Sequence, residues 1–288
     1  MAFRKRREVL RSILAGSTCV RPASVYDAIS IRIAADLGFE LGMFGGSVAS
    51  LAILGDPDIT LITLTELAEQ VRRMSRAAAL PVLVDADHGY GNALNVRRTI
   101  EELESAGAAG ITIEDTSLPQ AFGQSKTTLI SLEEGIGKMR AALDARSDPS
   151  LVVIGRTGAA SISSLDDALT RAKAYEEAGV DALFLTGIKY GSELEAITKS
   201  TKLPIVLGGA PEEMSELRYL AGQRVKIALQ GHAPFAAATQ AVHDTLATLR
   251  EGRSPKALTG LASTELTGRL TRETQWKARR GEFLELKK

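Results

Sequence analysis

The chain has 288 residues, of which 44% are hydrophobic and 24% charged, and 35 basic side chains balance 35 acidic ones. This composition is typical of a soluble globular protein, and the zero net charge argues against nucleic acid or a membrane surface as a partner. A single cysteine cannot form an internal disulfide. The basic N-terminus is not followed by the apolar stretch of a secretory signal, and no apolar run is long enough to span a membrane. A cytoplasmic location is therefore expected.

Short apolar segments that alternate with helical patterns are predicted to be strands. They cover residues 18–21, 41–44, 82–84, 110–113, 151–155, 182–185, 204–207 and 225–229. The helical patterns, many of which end at a glycine, cover about 4–15, 28–37, 63–78, 92–106, 131–146, 166–178, 193–199, 212–220 and 234–249. Asp27, Thr63 with Glu66, Asn92 or Asn95, and Ser131 with Glu134 are the predicted N-terminal caps.

This alternation predicts an α/β fold, a (β/α)8 TIM barrel, because each strand is followed by a helix that returns the chain to the next parallel strand. Residues 1–250 are assigned to the barrel domain and residues 251–288 to a C-terminal helical extension. The extension carries apolar residues at Leu266, Leu270, Trp276, Phe283 and Leu286. No segment within the barrel pattern is left over to cover them.

The third predicted strand ends in two carboxylates and a glycine-rich turn. Asp85 and Asp87 follow the apolar residues 82–84, and strand alternation would point both side chains the same way. Two like charges aimed at one place are unfavourable unless a cation lies between them, and all-oxygen ligands suit Mg²⁺ or Mn²⁺ better than zinc. The alternative is that both aspartates cap a turn or a helix.

Further polar residues follow other strands, at the barrel end where active sites lie. The set is Ser47, Asp85, Asp87, Glu114, Asp115, Arg156 and His232. Gathered at one mouth, they favour a metal site with anion-binding groups over capping aspartates, although Arg156 could instead pair with Glu114 or Asp115. Gly45-Gly46-Ser47 is compatible with an ordinary turn or a nest of N–H groups, and residues 116–130 are predicted to form an active-site lid.

Three motifs resemble the phosphoenolpyruvate mutase and isocitrate lyase superfamily. They are Val-Asp-Ala-Asp-His-Gly-Tyr-Gly-Asn at 84–92, Ile113-Glu114-Asp115 and Gly155-Arg156-Thr157, within a resemblance that runs from Gly45 to His232. The resemblance implies a barrel that binds Mg²⁺ and a 2-oxo acid and makes or breaks a bond beside the carbonyl through an enolate. It also implies a homotetramer whose subunits exchange a C-terminal helix, which would cover the extension.

Departures from the superfamily pattern narrow the resemblance. The lyases carry a cysteine motif on the lid, where this chain has residues 120–124, Gln-Ala-Phe-Gly-Gln. They also have a glutamate after the sixth strand and an asparagine after the seventh, where this chain has Leu185-Thr186-Gly187 and Gly208-Gly209. The lid asparagine motif of the mutase is missing as well. What remains is similar to the oxaloacetate decarboxylase branch, whose histidine after the eighth strand matches His232.

That branch implies Mg²⁺-dependent decarboxylation of oxaloacetate, a small 2-oxo dicarboxylate, to pyruvate and CO₂ through a metal-stabilised enolate, with Mn²⁺ as a possible substitute. The implied catalytic residues are Arg156 and His232, the substrate-binding residues are Gly46, Ser47, Arg156 and His232, and the metal-binding residues are Asp85 directly and Asp87 and Glu114 through water. Asp58 would join the outer metal shell or cap its loop. The alternatives are another C–C or C–P bond-cleaving enzyme, similar to methylisocitrate lyase or phosphonopyruvate hydrolase, and a non-catalytic 2-oxo acid-binding protein.

Overall fold

The computed structural model describes residues 3–285, in which eight strands form one parallel sheet in chain order. The strands are β1 (Ala23–Ser24), β2 (Gly42–Phe44), β3 (Val82–Asp85), β4 (Gly110–Glu114), β5 (Val152–Thr157), β6 (Ala182–Thr186), β7 (Ile205–Gly208) and β8 (Val225–Ala228). Val20 joins the two edges, because its N–H donates to the Lys226 carbonyl and its carbonyl accepts from the Ala228 N–H, both at 2.9 Å. The predicted TIM-barrel fold is confirmed.

The first strand lies later in the chain than predicted. Residues 18–21 were expected to form it, but only Val20 of that segment pairs with β8, and β1 begins at Ala23. Pro22 separates the two pairings because it has no N–H to donate to a ladder. The consequence for the site is that Ser24, and no residue of 18–21, stands at the carboxyl end of β1.

Helices follow the strands as the periodicity predicts. They are α1 (Arg4–Ala15), α2 (Ala28–Asp36), α3 (Gly46–Ala49), α4 (Leu64–Ala77), α5 (Ala93–Ala106), α6 (Leu132–Ala145), α7 (Ala159–Ile162), α8 (Leu165–Ala178), α9 (Gly191–Ser200), α10 (Leu217–Gly222), α11 (Ala233–Arg250), α12 (Thr264–Leu270) and α13 (Glu273–Leu284). A π-helical turn at Ser50–Leu54 and the short helices α3 and α7 were not predicted. The caps Asp27, Thr63, Asn92 and Ser131 are confirmed by their side-chain hydrogen bonds.

Helix α1 closes the amino end of the barrel. Its Leu10 and Leu14 belong to the same buried cluster as interior residues of the strands. Leu10 lies so close to Gly110, the first residue of β4, that a Cβ there would be 2.7 Å from its Cδ2 atom. Because this end is filled by side chains, the carboxyl end is left for a binding site.

The chain divides into two compact units between Ala233 and Pro234. The second unit contains α11, in which no residue is buried, followed by α12 and α13. In the C-terminal extension, Thr264–Leu270 and Glu273–Leu284 are helical as expected, and Leu286 lies outside the described residues. The predicted division at residue 250 stays a prediction. Within residues 3–285, no helix combines the length and the apolar character needed to cross a membrane.

Candidate active site

The turn after β3 carries both predicted metal-binding aspartates. The strand ends at Asp85, and Asp87 adopts a left-handed backbone conformation with φ of 46°. The predicted strand alternation therefore does not extend to Asp87. The turn is fixed on β4 instead, because the Glu114 N–H donates to the Asp87 carbonyl at 2.8 Å and the Ala86 N–H donates to the Thr112 carbonyl at 3.2 Å. Both carboxylates are buried.

Gly46, at the start of α3, lies directly against Asp87. A Cβ atom at this position would be 3.0 Å from the carboxyl carbon of Asp87 and closer still to Oδ1. The backbone of Gly46 has no positive φ, so the close approach of the two chains explains the glycine. The Gly45-Gly46-Ser47 segment thus borders the acidic turn as well as the mouth.

We expect Gly46→Ala to lower the free energy of unfolding by about 1 to 3 kcal/mol, because the added methyl group displaces a buried carboxylate. Urea denaturation of both proteins measures this change. Gly137→Ala is the matched control, since a Cβ at this position of α6 would meet nothing within 4 Å. Equal effects of the two substitutions would contradict the proposed clash.

Arg156 lies at the centre of the carboxylates. Its Nη1 donates to Oδ2 of Asp85 at 2.5 Å, and its Nε lies 3.3 Å from Oε2 of Glu114 without hydrogen-bond alignment. Two threonine hydroxyls hold the same acids, since Thr112 donates to Asp85 at 2.8 Å and Thr116 donates to Glu114 at 3.0 Å. The ion pair considered for Arg156 is thus present with Glu114 and also with Asp85, and it keeps the guanidinium near the mouth.

Negative charge exceeds positive charge around this arginine. Burial raises the pKa of Asp87 well above its usual value, and the charges of Asp85 and Glu114 raise it further. Burial also raises the pKa of Glu114, against the opposing effect of Arg156. Burial disfavours the charged guanidinium, yet the neighbouring acids raise the pKa of Arg156 above its usual value. Asp58 is affected by the same charges although the residue is exposed. Partial burial of its carboxyl group raises its pKa, and the charge of Asp85 raises it further.

A cavity of about 160 Å³ opens beside Arg156. Its polar lining consists of Ser24, Ser47, Asp85, Arg156, Gln230 and His232. Apolar walls come from Met43, Phe184 and Leu229. Sites for drug-sized ligands usually span about 300 to 1,000 Å³, so this cavity suits a small polar molecule.

His232 is held at the cavity by β1 and by the turn after β2. The Ser24 hydroxyl lies 2.8 Å from its Nδ1, and a Cβ at Gly45 would be only 2.8 Å from its Nε2. Burial lowers the pKa of His232, although Asp85 and Asp58 oppose that shift, so the imidazole is neutral at neutral pH. Sequence reasoning missed Ser24 because the first strand was placed too early.

Asp115 does not join the mouth, contrary to the expectation. Its Oδ2 accepts hydrogen bonds from Tyr175 at 2.7 Å and from Arg171 at 3.1 Å, both on α8. Consecutive strand residues point to opposite faces, so the neighbour of Glu114 is directed away from the barrel interior. Asp115 therefore joins the sheet to its outer helices. Lys189 and Tyr190, which follow β6, are exposed and do not line the cavity.

We expect Asp115→Ala to lower the free energy of unfolding by about 3 to 5 kcal/mol, because the buried guanidinium of Arg171 keeps only the partly exposed carboxylate of Asp167 and the buried Tyr175 hydroxyl loses its acceptor. Urea denaturation measures the loss. The kcat of the folded fraction should stay near the wild-type value, since Asp115 lies outside the cavity. Loss of kcat at wild-type stability would contradict this structural role.

The acidic cluster fits a hard divalent cation that keeps most of its water. Among residues 3–285, no three His, Cys, Asp or Glu side chains form a ready-made coordination shell. Mg²⁺ usually needs only one or two carboxylates from a protein, so this arrangement is compatible with it. Burial raises the pKa of Asp87 most and the charges of Asp85 and Glu114 raise it further, and a cation among these three carboxylates would offset that repulsion.

Comparisons with known proteins extend over the whole chain. A family model described as phosphoenolpyruvate phosphomutase matches residues 10–250. A Bradyrhizobium diazoefficiens protein named oxaloacetate decarboxylase is 75% identical over 288 residues, which is 100% of both chains. A Rhodopseudomonas palustris protein of the same name is 70% identical over 288 residues, again 100% of both chains.

Solved structures give the same picture at lower identity. Phosphoenolpyruvate phosphomutase from Streptomyces platensis subsp. rosaceus is 28% identical with a TM-score of 0.87, and the match covers 97% of this chain and 99% of that one. A phosphonopyruvate hydrolase in complex with oxalate and Mg²⁺ is 28% identical with a TM-score of 0.85 and the same coverage. The fold is thus similar to the folds of these two enzymes.

Proposed function

The chain belongs to the phosphoenolpyruvate phosphomutase family, and we propose that within it the chain decarboxylates oxaloacetate to pyruvate and CO₂ with a divalent cation. One observation of the site carries the proposal: Ser47, Arg156 and His232 line a single small cavity together with Asp85. Full-length relatives at 70% to 75% identity that are named oxaloacetate decarboxylase support the same substrate.

The donors around the cavity match the two carboxylates and the 2-oxo group of this substrate. Ser47, with the N–H groups of Gly46 and Ser47, binds the C1 carboxylate. Arg156 faces the 2-oxo oxygen, where negative charge develops as the C3–C4 bond breaks. His232 donates a hydrogen bond to the C4 carboxylate, which its neutral imidazole can do from one ring nitrogen.

Asp85 is the proposed direct ligand of the cation, with Asp87 and Glu114 holding its water molecules. The donor set is all oxygen, which suits Mg²⁺ and also accommodates Mn²⁺. When bound, the cation acts as a Lewis acid that stabilises negative charge on the 2-oxo oxygen. Thr112 orients the carboxylate of Asp85 and Thr116 orients that of Glu114, through the hydrogen bonds described above.

The protein has little further chemistry to perform. Loss of CO₂ leaves the bonding electrons of C3–C4 to move into the carbonyl, and the resulting enolate takes one proton from water at C3 to become pyruvate. No proton has to leave the substrate. The absence of a cysteine from residues 120–124 of the lid is therefore compatible with this reaction. Met43, Phe184 and Leu229 exclude water from the cavity, which strengthens the interaction of Arg156 with the developing charge.

Product analysis tests the proposed reaction against its relatives. Purified protein is given oxaloacetate, phosphonopyruvate or methylisocitrate with Mg²⁺, and pyruvate, phosphate and succinate are measured after subtraction of the protein-free rate. We expect pyruvate in equal amount to the oxaloacetate consumed. Preferential release of phosphate from phosphonopyruvate would instead support a hydrolase, a second candidate favoured by the structural similarity to phosphonopyruvate hydrolase. Tight binding of oxalate without any turnover would support a non-catalytic binding protein.

The proposed assembly is a homotetramer that exchanges C-terminal helices, and the proposed location is the cytoplasm. Helix α11 has no buried residue and exposes Val242 and Leu246. Helix α2 exposes Ile29 and Ile33, and the residue that caps its C-terminus, Leu37, is also exposed. Exposed apolar faces of this kind usually pack against other chains. Sedimentation equilibrium measures the assembly, and a monomer at micromolar concentration would contradict it.

A further inference from the structure

The wall of the cavity that supports Arg156 is made by neighbouring strands. Arg156 of β5 and Phe184 of β6 are register partners in the sheet. The guanidinium carbon of Arg156 lies 5.1 Å from the centre of the Phe184 ring, within the range of a cation–π contact. Phe184 is 3% exposed and lines the cavity, so its ring separates the arginine from the interior of the barrel.

The next strand leaves room for that ring. A Cβ at Gly208, the last residue of β7, would lie 2.8 Å from Cε2 of Phe184 and 3.2 Å from Cγ2 of Thr186. Gly208 does not have a positive φ, so its backbone conformation does not require glycine. The space occupied by the Phe184 ring is therefore the reason why this position needs a residue without a side chain.

Arg156 needs support because its carboxylate partners do not fix its plane. Asp85 binds one terminal nitrogen, while Nε faces Glu114 at 3.3 Å without hydrogen-bond alignment. A long arginine side chain with only one aligned hydrogen bond can rotate its guanidinium toward the acids and away from the cavity. An aromatic ring within cation–π distance of a guanidinium restricts that rotation and adds attraction in a desolvated site.

We propose that Phe184 and Gly208 are positioning residues for Arg156: the ring holds the guanidinium toward the cavity, and Gly208 provides the space in which the ring sits. The expected change in kcat rests on the proposed function. The expected position of the Arg156 guanidinium rests on the geometry alone. Neither residue touches the reacting atoms. Their effect on turnover passes through the orientation of Arg156.

A double-mutant cycle tests whether Gly208 acts through the ring. Gly208→Ala and Phe184→Leu should each lower kcat for oxaloacetate about tenfold, which corresponds to the loss of one desolvated cation–π contact. Adding Gly208→Ala to Phe184→Leu should have no further effect, because Leu leaves the space free. Equal losses from Gly208→Ala in both backgrounds, or a wild-type kcat for Gly208→Ala, would overturn the proposal.

Leu185→Val is the matched control. Leu185 is the next residue of β6, is 1% exposed and points to the other face of the sheet, so it tests general loss of packing. Its kcat should remain at the wild-type value. A tenfold loss in Leu185→Val as well would mean that the effect of Phe184→Leu reflects a general loss of core packing. Thermal unfolding of each variant shows that the proteins compared are folded.

Crystal structures of the wild-type protein and of Gly208→Ala separate this inference from the proposed function. We expect the Phe184 ring and the Arg156 guanidinium to be displaced together in Gly208→Ala. In Phe184→Leu, the guanidinium should be displaced to the same extent with and without Gly208→Ala. An unmoved guanidinium in Gly208→Ala would overturn the positioning role. If the wild-type protein does not decarboxylate oxaloacetate, the proposed function fails, and the position of Arg156 in these structures still decides the inference.

Discussion

Asp85→Ala is expected to lower kcat for oxaloacetate on the order of a thousandfold, because it removes the proposed direct ligand of the cation and one partner of Arg156. The fold should be retained. Asp85 is buried beside Asp87 and Glu114, so its removal relieves repulsion at the same time as it breaks the ion pair with Arg156. Steady-state kinetics at saturating Mg²⁺ and the circular dichroism spectrum measure the two effects.

Two controls make the Asp85 result specific. Asp166→Ala removes an exposed carboxylate from the first turn of α8 and should keep wild-type kcat. Binding of Mn²⁺, followed by electron paramagnetic resonance, should weaken in Asp85→Ala and be unchanged in Asp166→Ala. Wild-type turnover by Asp85→Ala would remove this residue from the active site.

Arg156→Lys is expected to lower kcat about a hundredfold although it keeps the positive charge. The three donors of a lysine ammonium all sit on one nitrogen, so lysine cannot reproduce the separated, planar donors with which the guanidinium reaches Asp85 and the substrate. It also loses the contact of the guanidinium carbon with the Phe184 ring. The loss should appear mainly in kcat, because the interaction strengthens as charge develops on the substrate.

The matched control for this variant is Arg140→Lys, at an exposed position of α6. Its kcat and KM should equal those of the wild-type protein. A value of kcat for Arg156→Lys near that of the wild-type protein would show that the site needs only a positive charge. A rise in KM at constant kcat would place Arg156 in ground-state binding alone.

The strand ends were the most predictable part of the site. Short apolar runs in an alternating pattern identify a barrel, and the barrel rule then places Asp85, Glu114 and Arg156 at one mouth. The structure brings these three side chains into direct contact. Local capping signals were equally reliable, because a cap depends on residues within one turn of the helix.

Features that depend on contacts between strands could not be predicted from one sequence. The left-handed turn at Asp87 is stabilised by hydrogen bonds to β4, and the support of Arg156 by Phe184 depends on the register of β5 with β6. Thr112 had a usable signal, because it lies two residues before Glu114 on the same strand face. Asp115 was misplaced because adjacency to Glu114 was given more weight than the alternation of the strand.

The most direct test of the account is pyruvate formation from oxaloacetate by the purified protein, measured with Mg²⁺, after treatment with EDTA, and after Mg²⁺ or Mn²⁺ is restored. The rate without protein is subtracted, since metal ions alone decarboxylate oxaloacetate. We predict saturable turnover well above that background, its loss with EDTA and its recovery with either cation. A folded protein that binds the cation and forms no pyruvate above background would contradict the proposed decarboxylase function.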